Sequence, residues 1–394
     1  MTPSAPAVDL GDLGLDRGGH LLVRRALRRL GPGDRLVVRG RSPELGVHLR
    51  GWCRSEGHGF EPGDGAHSVI RGHAEEDRWR DAPPTGSPDR VVDRPPATWG
   101  LALRGARVEP GGPPFPFPLA QKEEVWTESA GGIYRQAVAA QWDPATAVPW
   151  DAPFELPAEV EDAVVQVMTY LVENENAALV VPARFLGHVH PHFREVVQVL
   201  AVQVADEARH VEVFSRRASL RGGEPGLSTV GGQASLLTLL DEPDYAVAHF
   251  LLSVLGEGTF LPLLGFLEAY APDPVTRAVT RLALADEGRH VAFGMAHMRD
   301  VLAHGPGLRG GLATAIRRRH DALASTTGLN AEVFDALVLL AAGSWSPGDV
   351  ARGYAAVQAL EDEMRGGRQR RLVKLGFPPA EAAELAALHT RNFM

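Results

Sequence analysis

Ala205-Asp206-Glu207-Ala208-Arg209-His210 and Ala285-Asp286-Glu287-Gly288-Arg289-His290 are near-copies, 287 − 207 = 80 residues apart, on the shared skeleton A-D-E-x-R-H. In a helix, residues three apart share a face, so Glu207 points with His210 and Glu287 with His290. The neighbours on those faces are apolar: Val202, Val211 and Phe214 in one copy, Leu282, Val291 and Phe293 in the other. An ionisable pair on an apolar face is costly to bury unless it is neutralised, and metal coordination is one way to neutralise it.

Outward from these copies the chain is helical from about residue 157. Pro157 opens the run PAEVEDAVVQVMTYLVENENAALVVPARFL, the turn HVHPH follows, and FREVVQVLAVQVADEARHVEVFSRRASL carries the first copy. A Gly-rich interval leads to DYAVAHFLLSVLGEGTFLPLLGFLEAY, and after APDP comes VTRAVTRLALADEGRHVAFGMAHMRDVL with the second copy. Four long helices in two hairpins predict an antiparallel bundle, with three or four shorter helices after it. Each hairpin holds a lone glutamate among apolar turns, Glu175 in N-E-N and Glu257 in G-E-G. The separations 207 − 175 = 32 and 287 − 257 = 30 return the chain to the same level of the bundle. Glu173 competes with Glu175 for the first role, and Glu175 is preferred because it aligns with Glu257. Four carboxylates and two imidazoles then converge, an arrangement known for di-iron bundles.

With these motifs the chain resembles the ferritin-like di-iron carboxylate oxygenases and oxidases over roughly residues 157–305. The fold class implied is mainly α: a ferritin-like four-helix bundle with extra C-terminal helices, behind a small α/β N-terminal domain. The resemblance implies metal ligands at Glu175, Glu207, His210, Glu257, Glu287 and His290. Glu207 and Glu287 would be the bridging, catalytic carboxylates. It also implies that Asp206 and Asp286 each accept the ring N–H of the other copy's histidine, with Arg209 and Arg289 neutralising them. The arylamine N-oxygenases of this family carry one more histidine seven residues before the last, where this chain has Ala283, so six ligands are expected. The implied cofactor is two Fe ions, with Mn or mixed Mn/Fe as variants, and the implied function is O2-dependent oxidation (hydroxylation, N-oxygenation or desaturation) of a small organic substrate. No flavin or nicotinamide fingerprint is present, so electrons would come from an external reductase, a ferredoxin or the substrate. The alternative is a ferroxidase or a manganese or peroxide-handling protein without organic substrate. A roomy pocket beside the metals would favour the first reading, a filled bundle the second.

The rest of the chain sets bounds. Net charge is −9 and no basic block occurs, which disfavours nucleic acid and anionic membrane as partners. No run of about 18 apolar residues and no signal-peptide pattern are seen, so no transmembrane span and a cytoplasmic location are expected; a homodimer is compatible with the sequence. Cys53 is the only cysteine, which leaves His, Asp and Glu to bind metal. Residues 1–81 read as a small α/β domain resembling TusA-like sulfur carriers. The resemblance rests on the order helix, GD-turn, strand, helix and on Glu56-Gly57-His58. Those carriers hold their cysteine just before the first helix, where this chain has Arg17-Gly18-Gly19-His20, so docking is the more economical role. Residues 82–145 read as a Pro/Gly-rich linker or covering segment, and 146–394 as the di-iron helical domain. His188, His190 and His192 are read as a solvated turn, His249 and His297 as core or rim, Met295 and Met298 as core. Thr259 and Phe260 are read as pocket-lining or core residues.

Overall fold

The structure, a computed structural model, describes residues 5–324 and 331–388. Two compact units emerge: residues up to 89 with 102–113, and residues 90–101 with the chain from 114 onward.

The N-terminal unit alternates strands and helices: β1 (Ala7–Asp9), α1 (Gly19–Leu27), β2 (Arg35–Arg39), α2 (Leu45–Ser55), β3 (Gly59–Glu61), β4 (Ala66–Ile70) and α3 (Ala74–Trp79). The sheet order is β1-β2-β4-β3; β1 runs parallel to β2 and the other pairs are antiparallel. Alternation sends Leu36 and Val38 of β2 inward, where they meet Val23 and Leu27 of α1 and Leu45, Leu49 and Cys53 of α2. Gly33 turns the chain at φ +87°, a conformation that favours glycine, and its N–H meets the Arg71 carbonyl at 2.8 Å. Cys53 is fully buried, and burial pushes its thiol up to about 11. Such a thiol is a small core residue and not a carrier nucleophile.

The helical unit begins with α4 (Lys122–Val125) and α5 (Ala130–Ala139). Its bundle is α6 (Ala158–Leu186), α7 (Arg194–Ser219), the interrupted third helix, and α11 (Pro274–His304). That third helix is α9 (Tyr245–His249), a π-helical stretch Phe250–Gly256, and α10 (Glu257–Ala269). A short helix, α8 (Val230–Leu240), occupies the Gly-rich interval. Asp244 and Asp273 cap α9 and α11, accepting from the N–H groups of Val247 at 2.9 Å and Thr276 at 2.7 Å. The C-terminal helices are α12 (Leu308–Ala324), α13 (Ala331–Ala342), α14 (Pro347–Lys374) and α15 (Pro379–Ala387). They are not all short: α14 has 28 residues and packs along α10 and α13.

Two apolar clusters fill the bundle. One includes Ala178, Leu200, Leu255 and Phe293; the other includes Leu171, Phe214, Phe260 and Ala283. Every bundle helix passes from one cluster to the other through its glutamate: Leu171–Glu175–Ala178, Leu200–Glu207–Phe214, Leu255–Glu257–Phe260 and Ala283–Glu287–Phe293. The carboxylates therefore occupy a polar layer between two dry ones.

The segment Tyr245–Ala269 is long and apolar enough to span a membrane by composition alone, which corrects the expectation that no segment is. Its most apolar window is 83% buried, the signature of a bundle's core helix. The π stretch within it displaces carbonyls from regular pairing, and Arg371 of α14 donates to the Val254 carbonyl at 2.7 Å. Gly258 makes room for that guanidinium, since a Cβ there would lie 2.5 Å from its Cζ. Gly294 of α11 similarly lets the π stretch approach; a Cβ would sit 2.6 Å from that of Ser253.

Candidate metal centre

The six residues singled out by the repeat meet in the polar layer, contributed by α6, α7, α10 and α11. Ligand atoms of Glu175, Glu207, His210 and Glu287 all lie within 4.8 Å of one another, as do those of Glu207, Glu257, Glu287 and His290. Both sets are buried and share Glu207 and Glu287. His210 Nδ1 is 3.1 Å from Glu207, 3.4 Å from Glu287 and 3.5 Å from Glu175. His290 Nδ1 is 3.0 Å from Glu207 and 3.5 Å from Glu287. Glu173 is half-buried and outside the cluster, whereas Glu175 is only 2% exposed.

The far nitrogen of each histidine reaches the aspartate of the other copy: His210 Nε2 to Asp286 at 3.2 Å and His290 Nε2 to Asp206 at 3.3 Å. These contacts leave the two Nδ1 atoms aimed at the carboxylates. Arg209 donates to Asp206 at 2.5 Å and to Asp286 at 3.2 Å, and Arg289 pairs with Asp286. Two further residues complete this layer. Gln141 donates to Asp206 at 2.9 Å, and the Trp142 indole N–H to Asp286 at 2.8 Å. Both lie just after α5, inside the stretch read as linker or covering segment. Sequence periodicity carried no signal for them, because a residue in a short irregular connection shows its partner only in three dimensions.

The electrostatics mark the cluster as incomplete on its own. Burial, then the Glu207 carboxylate, raises Glu175 well above the usual carboxylate range; burial, then Glu287, does the same to Glu257. Burial opposes ionisation of Glu207, yet the His290 charge and bonds from both imidazoles hold it well below that range. Burial likewise opposes charge on the histidines but is outweighed, for His210 by bonds to Asp286 and the glutamates, for His290 by Glu207 and Glu287. Glu175 Oε1, Glu257 Oε2 and Glu287 Oε2 are buried and make no hydrogen bond. Orphaned buried acceptors converging on two points are what cations would satisfy. Oxygen-rich sets with one imidazole each suit iron or manganese.

A pH consequence follows. Groups raised above their ordinary range hold their protons to higher pH than free side chains do, and a metal must displace those protons. Metal uptake is therefore expected to release protons and to weaken as pH falls, with the loss continuing as Glu175, Glu257 and both histidines protonate. Calorimetric titration with Mn2+ in two buffers of different ionisation enthalpy checks this; identical heats in both would refute it.

Beside Glu175, Glu257 and Glu287 lies a narrow cavity lined by Asn174, Leu236, Leu252 and Phe260, with about 300 Å3 of empty space. It is narrow, with room for roughly one water or one O2. Phe260 lines this space, while Thr259 is buried and turns its hydroxyl to the Leu255 carbonyl at 2.7 Å. The α8 residues Leu236 and Leu239 form one wall.

The histidine turn differs from expectation. His188 is exposed, but His190 and His192 are 1% and 3% exposed. The Val92 N–H donates to His192 Nε2 at 2.9 Å, and His190 Nε2 lies 3.3 Å from the Pro96 carbonyl. These two histidines anchor residues 90–101, whose lack of periodicity concealed the contact. His249 and His297 are core residues, their Nδ1 atoms 2.8 Å apart, and Met298 is fully buried.

No protein-family model matches the chain, and no curated protein matches it. Among solved structures it is similar to a mutant of an R2-like ligand-binding oxidase with an aerobically reconstituted Mn/Fe cofactor. That match has 19% identity, 63% of this chain and 94% of that chain covered, and TM-score 0.46. Another mutant, with an Fe/Fe cofactor, has 19% identity, coverages of 65% and 94%, and TM-score 0.46. A protein with aldehyde deformylating oxidase activity from Synechococcus has 14% identity, coverages of 58% and 96%, and TM-score 0.42.

Proposed function

We propose that this chain is an O2-dependent oxidoreductase with a dinuclear iron, manganese or mixed centre, an oxidase or monooxygenase acting on a small organic molecule. The observation that carries this reading is the pair of four-residue ligand sets sharing Glu207 and Glu287. Glu175 and His210 would complete one metal position, Glu257 and His290 the other. Bound there, two redox-active ions supply the electrons and the coordination sites that O2 activation requires. The chain's own residues do the rest. Asp206 and Asp286 fix the imidazole tautomers by accepting the Nε2 protons, so each Nδ1 keeps its lone pair for the metal. Arg209 and Arg289 balance the aspartates, while Leu236, Leu252 and Phe260 keep water from the open side. The narrow cavity favours O2 and a slender apolar group over a bulky substrate, and α8 would have to shift for anything larger. Electrons beyond those stored in the centre would come from a separate reductase or ferredoxin.

The same narrowness supports a second reading, a ferroxidase or peroxide-handling protein without organic substrate. One experiment addresses both. The protein is loaded anaerobically with two ferrous ions per chain and mixed with O2, while oxygen uptake and iron oxidation are followed. Uptake of about one O2 per two irons, followed by turnover on re-reduction with a supplied substrate, supports the oxidase. Turnover with Fe2+ as the only reductant supports the second reading, and failure to bind iron rejects both.

A further inference from the structure

We infer that Gln203 makes the two metal positions unequal, holding Glu257 apart from His290 so that their position fills first. The inference rests on the metal-binding reading above. Gln203 lies seven residues before His210, and the matching place before His290 is Ala283, since 290 − 283 = 210 − 203 = 7. The repeat is thus broken at one buried site: Gln203 is 1% exposed and Ala283 fully buried. The Gln203 side-chain amide crosses from α7 to α10 and donates to Glu257 Oε1 at 2.9 Å. A methyl group at 283 offers Glu175 nothing comparable.

The two halves differ accordingly. Glu175 Oε2 lies 3.5 Å from His210 Nδ1. Among the described residues the ion pairs of His290 are to Asp206, Glu207 and Glu287, and none is to Glu257. One oxygen of Glu257 is tied by the amide and the other, Oε2, is buried and makes no hydrogen bond. An ion entering beside His290 must part the ring from Glu207 and Glu287, as one entering beside His210 must part that ring from the same two, but it finds Glu257 already apart. An ion entering beside His210 must first separate Glu175 from the ring. A ligand held in its bound-like place costs less to organise, so the Glu257–His290 position has the higher affinity. Gln203 is accordingly a positioning residue acting through Glu257.

The test is an anaerobic Mn2+ titration of the full chain followed by electron paramagnetic resonance, repeated with Fe2+. Wild type is expected to bind two ions in steps separated by about tenfold or more. E257Q should remove the tighter step and E175Q the weaker. Q203L should weaken the tighter step by roughly 10–100-fold, the usual effect of losing a partner of a metal ligand, and leave the weaker one in place. Steps unchanged in Q203L, or a tighter step lost in E175Q, overturn the inference. If Q203L does not fold, as judged by circular dichroism, Q203M takes its place in the same titration with the same expected outcome. Two equal steps in wild type reject this inference only, whereas no binding rejects the function proposed above.

Discussion

Alanine at Glu207 or at Glu287 is expected to empty both metal positions at once, lowering bound iron from about two ions per chain to near zero. Each of these glutamates belongs to both ligand sets. Removing one takes an anionic donor from each position and leaves three ligands in each. Alanine at Glu175 or Glu257 touches one set only, so about one ion should remain. This two-against-one pattern separates a shared centre from two independent sites, which a single inactive variant cannot do. Metal content after anaerobic loading and desalting is the measurement. E207A retaining an ion in either position would contradict the shared role. The fold should survive, since Glu175 and Glu257 are already pushed toward the neutral form by burial and by their neighbours' charge. Removing one charge from such a crowd relieves repulsion, although loss of Glu207 also deprives both imidazoles of a partner.

The site was legible because helical spacing is rigid. Glu207 with His210 and Glu287 with His290 share faces by the helical repeat, and the 32- and 30-residue returns to Glu175 and Glu257 are set by hairpin length. The π stretch before Glu257 was not legible, since one wider turn leaves no mark on an all-apolar run. Gln203 escaped for a related reason: a lone amide on an otherwise apolar face has no periodic partner, and its meaning depends on Glu257 arriving from another helix. Gln141, Trp142, His190 and His192 sit in or contact irregular chain, where sequence gives no distance. In the N-terminal unit the β-branched run after the GD-turn identified β2, but the three-residue strands β1 and β3 are too short to show a period.

At one end of the bundle a charged network offers the largest expected stability effect. Arg217 of α7 is fully buried. It donates to both oxygens of Glu161 on α6, at 2.6 and 3.0 Å, to Asp273 at 2.8 Å and to the Thr276 hydroxyl at 2.8 Å. Asp273 is also the cap of α11, so one guanidinium ties three bundle helices together. Burial works against its charge, but the bonds to Glu161 and Asp273 outweigh that. Truncation would leave two carboxylates facing each other in a dry pocket. R217M is therefore expected to cost the helical unit about 3–5 kcal/mol, the range for breaking a buried pair from one side. At the sensitivity of a chain this size that corresponds to a fall of roughly 10 °C in Tm. R217K should recover only part, because an ammonium cannot reproduce the two parallel bonds to Glu161. Adding E161Q to R217M should restore some stability by removing one stranded charge, a non-additivity measurable as a double-mutant cycle. Arg217 lies two helical turns beyond His210, about 10 Å along α7, so R217M should still bind two metal ions per chain at low temperature. A Tm within about 2 °C of wild type would show that the network contributes little net stability, and loss of metal alongside a normal Tm would place Arg217 in the metal site instead.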